Sequence, residues 1–391
     1  MKKKWLWWCL LLLTGLSSGC WDQRELERLA IVSGIGIDLH PDGENYQVSF
    51  QIIRPDDVLG GRGGTGGGGG GGANKPFWTL KAEGKTVFDA IRNATFESSR
   101  RLFLSHNKVV IINEEVAKKG IFPIIEFLMR DAEPRLSEWL LVTPDQAEKV
   151  LQVESKLEKV PATGIAHQLQ TYHATSKVRA VSLYDFANHF VQKKTAGTMP
   201  VIRIVETDGE KILKLEKTAV FKEDKLAGDL DYRETRGLLW VLGEVRGGII
   251  VLELPDDGAT VSIVISEATG KISAVVKERP LKMQVEIDLE AILGGQSTEQ
   301  NLVTPEKTNF LEKLTAEAIT GEVEAALSKA RQLGADIFGF AEHLHRYHPQ
   351  VWKELQKEWE SYFRQLDVTI KVKVLIAEVG LTRRPAILFG E

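Results

Sequence analysis

The chain has 391 residues, with 50 Lys and Arg against 54 Asp and Glu and a formal net charge of −4. An acidic balance without a basic block argues against a nucleic-acid partner and against membrane binding by charge alone. The length exceeds what one compact core usually serves, so two or three domains are predicted.

The first 19 residues have the organisation of a secretory signal peptide. Three lysines precede an apolar run from Trp5 to Leu13, and small residues follow. The apolar run is about half of the ~20 residues that cross a bilayer, which disfavours a transmembrane helix. We therefore predict that residues 1–19 are removed. The three lysines leave with that segment, so the net charge of −4 becomes −7.

Cys20 follows small residues at the end of this segment, as in a bacterial lipobox, although Ser17 stands where leucine is usual. We predict that Cys20 is diacylated, because two acyl chains anchor a protein stably in a membrane. Plain cleavage without acylation is the alternative. The other cysteine, Cys9, lies in the segment predicted to be removed, so the mature chain is expected to have no disulfide and no thiolate metal site.

The next segment predicts a β-hairpin and then a loop. Residues 30–39 and 44–53 flank a Pro-Asp-Gly turn, and apolar residues alternate in the second run. Residues 60–72 then include 11 glycines. A phosphate-binding loop would need Lys followed by Ser or Thr at the start of a helix. This segment has no such pair, so a flexible surface loop is predicted.

Strands and helices alternate after the glycine run. They comprise a helix from Thr86, a strand at 108–113, a helix at 115–130 and a strand at 136–143. This alternation predicts a mixed sheet with helices packed on it. A helical pattern over 164–194 ends before a strand that follows Pro200, where we place the first domain boundary.

The second half of the chain is richer in consecutive strands. They are predicted at 248–254, 260–267, 271–278 and 282–289. Such a succession favours an antiparallel meander. Two amphipathic helices, at 306–333 and after Pro349, and a final strand at 368–379 complete the pattern.

The predicted fold class is α+β, with three domains built from mixed or antiparallel sheets and packed helices. The domains are an N-terminal domain at 20–200, a small middle domain at 201–255 and a C-terminal domain at 256–391. The C-terminal domain is expected to be a curved antiparallel sheet with two long helices.

Candidate catalytic and metal-binding groups are sparse. The densest cluster consists of Glu342, His343, His345 and His348. Zinc-binding histidines on a helix are usually four residues apart, so solvated helix-end histidines are predicted, with zinc as the alternative. Ser105 and His106 are adjacent but lack the glycine-flanked turn of a nucleophile, which favours a hydrogen-bonding role. We predict no catalytic residue, no metal and no cofactor.

Several segments together resemble the Ger(x)C family of spore germination lipoproteins. The residues that carry the resemblance are Cys20-Trp21-Asp22 followed by Glu25-Leu26, Gly36-Ile37-Asp38, Ser99 to His106, Ala219 to Lys222, and Asp336 to Phe340. The resemblance covers nearly all of the chain after Cys20, and its motifs are specific jointly rather than singly.

The resemblance implies a lipid-anchored subunit of a nutrient germinant receptor on the outer face of the spore's inner membrane. Such a subunit works with two integral membrane subunits, A and B, and has no known catalysis. The resemblance leaves contact with a small-molecule germinant open. It assigns lipid attachment to Cys20 and structural or assembly roles to Trp21, Asp22, Glu25, Ser105, His106, Asp336 and Gly339.

Two other functions compete with this interpretation. A solute-binding lipoprotein of an importer would share the anchor, but that class usually has two lobes of repeated strand–helix alternation, unlike residues 248–289. A lipid-anchored hydrolase would need a catalytic constellation around a residue such as His106, which the sequence does not indicate.

Overall fold

The computed structural model describes residues 28–54, 75–192, 195–255, 258–276 and 280–378. They form two β-sheets with packed helices, which confirms the predicted α+β class. Cys20 and the adjoining motif residues Trp21, Asp22 and Glu25, the predicted signal peptide and the glycine run at 60–72 lie outside the described residues.

The first sheet has nine strands in the order β3-β2-β1-β5-β6-β7-β8-β9, and β4 pairs with β1 beside this path. The strands β1, β5, β6 and β7 run parallel, whereas the hairpin partners are antiparallel. The strands are β1 (Leu29–Leu39), β2 (Tyr46–Ile53), β3 (Phe77–Gly84), β4 (Arg101–Phe103), β5 (Val109–Asn113), β6 (Trp139–Thr143), β7 (Thr198–Thr207), β8 (Glu210–Lys222) and β9 (Lys225–Leu230).

Helices cover both faces of this sheet. One face carries α1 (Val87–Asn93), α2 (Glu114–Lys119), α3 (Phe122–Arg130) and α6 (Leu183–Gln192), and the other carries α4 (Ala147–Val150) and α5 (Pro161–Gln170). The parallel strands are therefore buried on both sides, as in the continuous aliphatic run of β5. The predicted mixed sheet with helices on it is confirmed.

The predicted boundary at residue 200 falls inside β7, between residues that pair with β8. The strands β8 and β9 extend the first sheet. Residues 201–230, which the sequence assigns to a middle domain, therefore share a sheet with the N-terminal strands, because β7 pairs with β6. The division into three domains stays a prediction.

The second sheet has the order β10-β11-β12-β13. Its strands are β10 (Ile249–Glu253), β11 (Thr260–Val275), β12 (Lys282–Gln296) and β13 (Asp367–Glu378). The strands predicted at 260–267 and 271–278 are one continuous strand, β11. The last strand, β13, runs parallel to β12, whereas the sequence pattern predicted an antiparallel sheet. The helices between β12 and β13 return the chain to the starting end of β12, which makes a parallel pair possible.

The helices of this half are α7 (Tyr232–Leu242), α8 (Pro305–Leu333), α9 (Phe340–Tyr347), α10 (Pro349–Leu355) and α11 (Trp359–Gln365). The prediction of a long helix at 306–333 is confirmed, but the second predicted long helix is divided between α10 and α11. Trp352 and Trp359 would lie ~10 Å apart along a continuous helix. Their ring centroids are 5.5 Å apart in an edge-on contact, which the break between the two helices permits.

Candidate functional site

Asp336 and Gly339 form the turn that leads into α9. The Asp336 carboxylate accepts hydrogen bonds from the backbone N–H groups of Gly339 (3.0 Å), Phe340 (3.2 Å) and Ala341 (2.7 Å). Gly339 has a φ of +78°, a conformation that side chains with a Cβ rarely adopt. The pair therefore fixes the direction in which α9 leaves the turn.

Burial strongly affects the Asp336 carboxyl. Its side chain is 6% exposed, and desolvation raises its pKa to about 6, although the hydrogen bonds from the turn act to lower that pKa. The backbone oxygen of Asp336 also accepts a hydrogen bond from Ala196 N–H at 2.8 Å. Ala196 immediately precedes Gly197 and β7, so this turn connects the two halves of the fold.

A groove lies beside the turn, between α6 of the first half and α7, β11 and α9 of the second. Two adjoining cavities of 370 and 660 Å³ share Leu242, Ile272, His343 and Tyr347 in their walls. Their walls combine aliphatic and aromatic side chains with histidine and charged side chains. A groove of this composition is suited to binding an amphipathic group.

The histidines of the groove differ in their surroundings. The ring centroids of His343 and Tyr347 are 4.8 Å apart, and those of His343 and His348 are 6.2 Å apart. Burial lowers the pKa of His343, and burial with the Arg179 charge lowers that of His189 to about 4. The His189 imidazole is therefore neutral near pH 7.

His345, the third histidine of the sequence cluster, is exposed. Over the described part of the chain, no group of three or more His, Cys, Asp or Glu side chains is arranged to hold a metal ion. In the wall of the groove, Arg346 Nη2 donates to the Glu342 carboxylate at 2.9 Å.

Ser105 and His106 lie elsewhere, in a single 3₁₀ turn, Leu104–His106, between β4 and β5. The ring of His106 lies 5.4 Å from that of Phe103. The turn adjoins β1, at the edge of the sheet where the parallel strands begin. The structure thus places Ser105 and His106 by β1 and places Asp336 and Gly339 by the entry to β7. Their assembly roles stay predictions.

Two ion pairs with buried arginines, one of them partly exposed at its carboxylate, were not apparent from the sequence. Arg179 donates to both carboxylate oxygens of Glu244 at 2.8 and 2.9 Å and to Thr198 Oγ1 at 2.7 Å. These residues join the segment before α6, the start of β7 and the segment after α7. Arg179 stands between Val178 and Ala180, and a charged residue between apolar neighbours was the only hint of a buried arginine in the sequence. Its partner, Glu244, lies 65 residues away and could not be identified.

The second ion pair holds α7 against α8. Arg236 donates through Nε to Glu322 at 2.8 Å, and Trp240 Nε1 donates to the same carboxylate oxygen at 2.8 Å. The Arg236 Nη1 group also reaches the carbonyl of Ile249 at 2.9 Å. The Glu322 carboxylate of α8 is therefore held by donors from α7, and these hydrogen bonds stabilise the contact between the two helices.

Comparison with known proteins connects this architecture to germination. Residues 22–204 match the family model described as "Spore germination protein N-terminal domain", and residues 216–380 match "Spore germination B3/GerAC like, C-terminal". The fold is that of a solved structure, "Crystal Structure of the GerBC protein", with a TM-score of 0.57 and 17% identity over 91% of this chain and 100% of that chain.

Curated relatives from Bacillus subtilis (strain 168) align along nearly the whole chain. Spore germination protein KC is 28% identical over 96% of this chain and 97% of its own length. Putative spore germination protein YfkR is 28% identical over 97% and 98%.

The two matched models define the class as a spore germination protein with paired N- and C-terminal family regions. The chain belongs to the GerAC family, called Ger(x)C above, and the resemblance predicted from the sequence is confirmed.

Proposed function

We propose that this chain is a non-catalytic, lipid-anchored subunit of a spore nutrient germinant receptor that supports receptor assembly or signalling. The observation that carries the proposal is the match of both family regions, which together span most of residues 22–380. The named relatives that align end to end are spore germination proteins. In this proposal the chain works beside two integral membrane subunits, A and B.

The anchor in this proposal is Cys20, acylated after removal of residues 1–19. In the described ranges, no helix has the length and apolarity needed to cross a bilayer. Acylation would hold the chain on the outer face of a membrane, which in the spore is the inner membrane. Trp21, Asp22 and Glu25 follow the anchor at once, where they can contact both membrane and partner loops.

The absence of catalysis in this proposal is supported by the use of the buried ionisable groups. Asp336 caps a turn, Arg179 pairs with Glu244, and Arg236 pairs with Glu322. Each of these side chains has a hydrogen-bond partner within the fold, as expected of a scaffold whose surfaces bind other subunits. The turn at Asp336 and Gly339 would transmit displacement between the two halves.

The first test is deletion of this chain in its spore-forming host. Germination is scored with each nutrient separately and with a non-nutrient trigger, while the co-encoded membrane subunits are followed by blotting. We expect loss of the response to particular nutrients and an unchanged non-nutrient response. Disappearance of the membrane subunits would identify assembly as the role. Unchanged germination with a defect in solute uptake would instead favour the importer-lipoprotein alternative.

The anchor is tested separately with Cys20→Ala at normal abundance. We expect the protein to leave the membrane fraction and the nutrient response to fall. Full germination by an unanchored variant would show that anchoring is not required. Cys9→Ala is the matched control, because Cys9 lies in the segment expected to be removed.

A further inference from the structure

We infer that the edge of the first sheet where its parallel strands begin lies on the lipid surface, and that four exposed side chains there contact anionic head groups and upper acyl chains. We call these side chains the amino-edge patch. They are Phe96, Met129, Leu136 and Tyr184. The inference rests on the proposed lipid anchor and adds the orientation of the chain on the membrane.

The members of the patch are linked by chain and hydrogen bonds to the start of β1. Leu29, the first residue of β1, is the register partner of Arg101 in β4. Phe96 lies five residues before Arg101, and thus within ~18 Å of it along the chain. The side chain of Arg101 pairs with Glu133, which lies between Met129 and Leu136.

Tyr184 completes the patch. Its backbone N–H donates to the carbonyl of Leu136 at 2.9 Å, which places the two residues side by side. Their side chains are half exposed, and Phe96 is 88% exposed. Exposed aromatic and aliphatic side chains grouped at one edge, with tyrosine among them, are typical of proteins that rest in the interfacial region of a bilayer.

The reach of the tether restricts the orientation. Nine residue steps separate Cys20 from Leu29, and a fully extended chain covers at most ~32 Å in that distance. The strand β1 is itself ~33 Å long over its ten steps. If the opposite edge of the sheet faced the lipid, the tether would have to run fully stretched along the whole length of β1. The length of the tether therefore favours the orientation in which the edge that begins with Leu29 is the nearer one.

Local charge favours an anionic surface. Residues 92–101, 129–136 and 182–185, which carry the patch, contain five arginines and four carboxylates, a net charge of +1, whereas the chain from Cys20 onward has a net charge of −7. Basic side chains near an anionic leaflet contribute ~1 kcal/mol each, and this contribution decays within a Debye length. The arginines would assist the apolar contacts but would not replace the anchor.

The experiment uses the full lipidated chain in vesicles of phosphatidylcholine with one-third phosphatidylglycerol. A fluorophore is attached to a single introduced cysteine, because Cys9 is expected to be removed and Cys20 to be acylated. The variants are Phe96→Cys and Leu136→Cys in the patch. Leu157→Cys is the matched control, since Leu157 is 93% exposed and lies between α4 and α5, which cover the opposite face of the sheet.

Aqueous iodide is expected to quench the fluorophores at positions 96 and 136 several-fold less than the one at 157. Lipids with nitroxide-labelled acyl chains are expected to quench at 96 and 136 only. Omitting phosphatidylglycerol should reduce the difference. Equal iodide quenching at all three positions in a membrane-bound chain would overturn the orientation and leave the anchor intact. A chain that stays in the aqueous fraction would overturn both.

Discussion

The two sheets bury their strands differently, and the difference is visible in their residue patterns. In the first sheet, four consecutive residues of β5, Val109 to Ile112, are buried, because helices cover both faces. In the second sheet, β10 alternates exposed and buried side chains, with Ile250 and Leu252 buried. The periodicity of a strand thus indicates how many of its faces are covered. This pattern distinguishes the two sheets, whereas the boundary predicted at residue 200 falls inside a strand of the first sheet.

The comparison predicts that the second sheet depends more on a single helix contact than the first does. Gly237 of α7 faces α8 so closely that an added Cβ would lie 2.0 Å from the carbonyl oxygen of Glu322. Gly237→Ala is therefore expected to lower the free energy of unfolding by about 3 kcal/mol or more, because backbone cannot move aside as a side chain can. Urea denaturation measures the change.

Gly321→Ala is the matched control in the facing helix. Its added Cβ would meet only the flexible end of Arg233, at 3.0 Å. Because alanine favours helix more than glycine does, stability should stay constant or rise by up to ~1 kcal/mol. Equal losses in the two variants would contradict the proposed close contact.

The Arg179 ion pair tests whether the two regions unfold together. Arg179→Met leaves the Glu244 carboxylate and Thr198 without their donor, and we expect a loss of about 2–3 kcal/mol. We expect calorimetry to resolve two transitions in this variant and a single transition in the parent chain. Lys217→Met removes an exposed pair with Asp229 and should cost below ~0.5 kcal/mol. If Arg179→Met unfolded in a single transition at the same temperature as the parent chain, the ion pair would not be what makes the two regions unfold together.

The pH dependence of stability should have a component from each region. Burial raises the pKa of Glu138 in the first region to about 7, and that of Asp336 in the second to about 6. At these two carboxyls the folded chain therefore binds more protons than the unfolded chain between about pH 4.5 and 7, whereas at His189, whose pKa is lowered to about 4, it binds fewer. The carboxyls make the free energy of unfolding fall as the pH rises, by at most ~3 kcal/mol for Glu138, and His189 opposes that fall below about pH 6.5.

Glu138→Gln should remove the Glu138 component and keep that of Asp336. The glutamine oxygen can accept the hydrogen bond from Arg135 N–H. Its N–H₂ group can donate to the buried Oδ1 of Asn107, which has no hydrogen-bond partner, once the Asn107 amide turns, since Asn107 Nδ2 now donates to Glu138 at 2.7 Å. Denaturation from pH 5 to 8 gives the slope, and Glu97→Gln, at an exposed position, is the control. An unchanged slope in Glu138→Gln would assign the dependence to other groups.

The smallest expected effects come from helix caps, one in each region. Thr86 Oγ1 accepts from Asp89 N–H at 3.0 Å at the start of α1, and Thr304 Oγ1 accepts from Lys307 N–H at 3.4 Å at the start of α8. Thr86→Ala should cost ~1 kcal/mol, and Thr304→Ala less, because its hydrogen bond is longer. Thermal denaturation compares the two; a larger loss at Thr304 would reverse the expected order.

Much of the fold was predictable because it depends on local patterns. The hairpin of β1 and β2 follows from alternation around a turn, and the helix at Pro305–Leu333 follows from its apolar spacing and the glycine at 334. The class and the family were also predictable, because the motif segments were recognised in order. The helix break between Leu355 and Trp359 was not predictable, because the apolar spacing of Trp352, Leu355, Trp359 and Phe363 continues across it.

The candidate site was predictable only in part. Asp336 and Gly339 were singled out as motif residues, but their capping geometry and their contact with Ala196 required the structure. The ion pairs of Arg179 and Arg236 join residues 65 and 86 positions apart, and no short-range pattern identifies such partners. His189 and His343 line the same groove but lie far apart in the sequence, so no short-range pattern connects them either.

The sequence by itself determined the α+β class, the family and most element positions, because side-chain periodicity, turn residues and motif order are properties of short segments. It also singled out Cys20 as the predicted anchor. Only the tertiary structure decided that residues 201–230 complete the first sheet, that β13 runs parallel to β12, and which exposed side chains gather where β1 begins. Those features depend on which distant segments pack together, and packing is set by the whole chain.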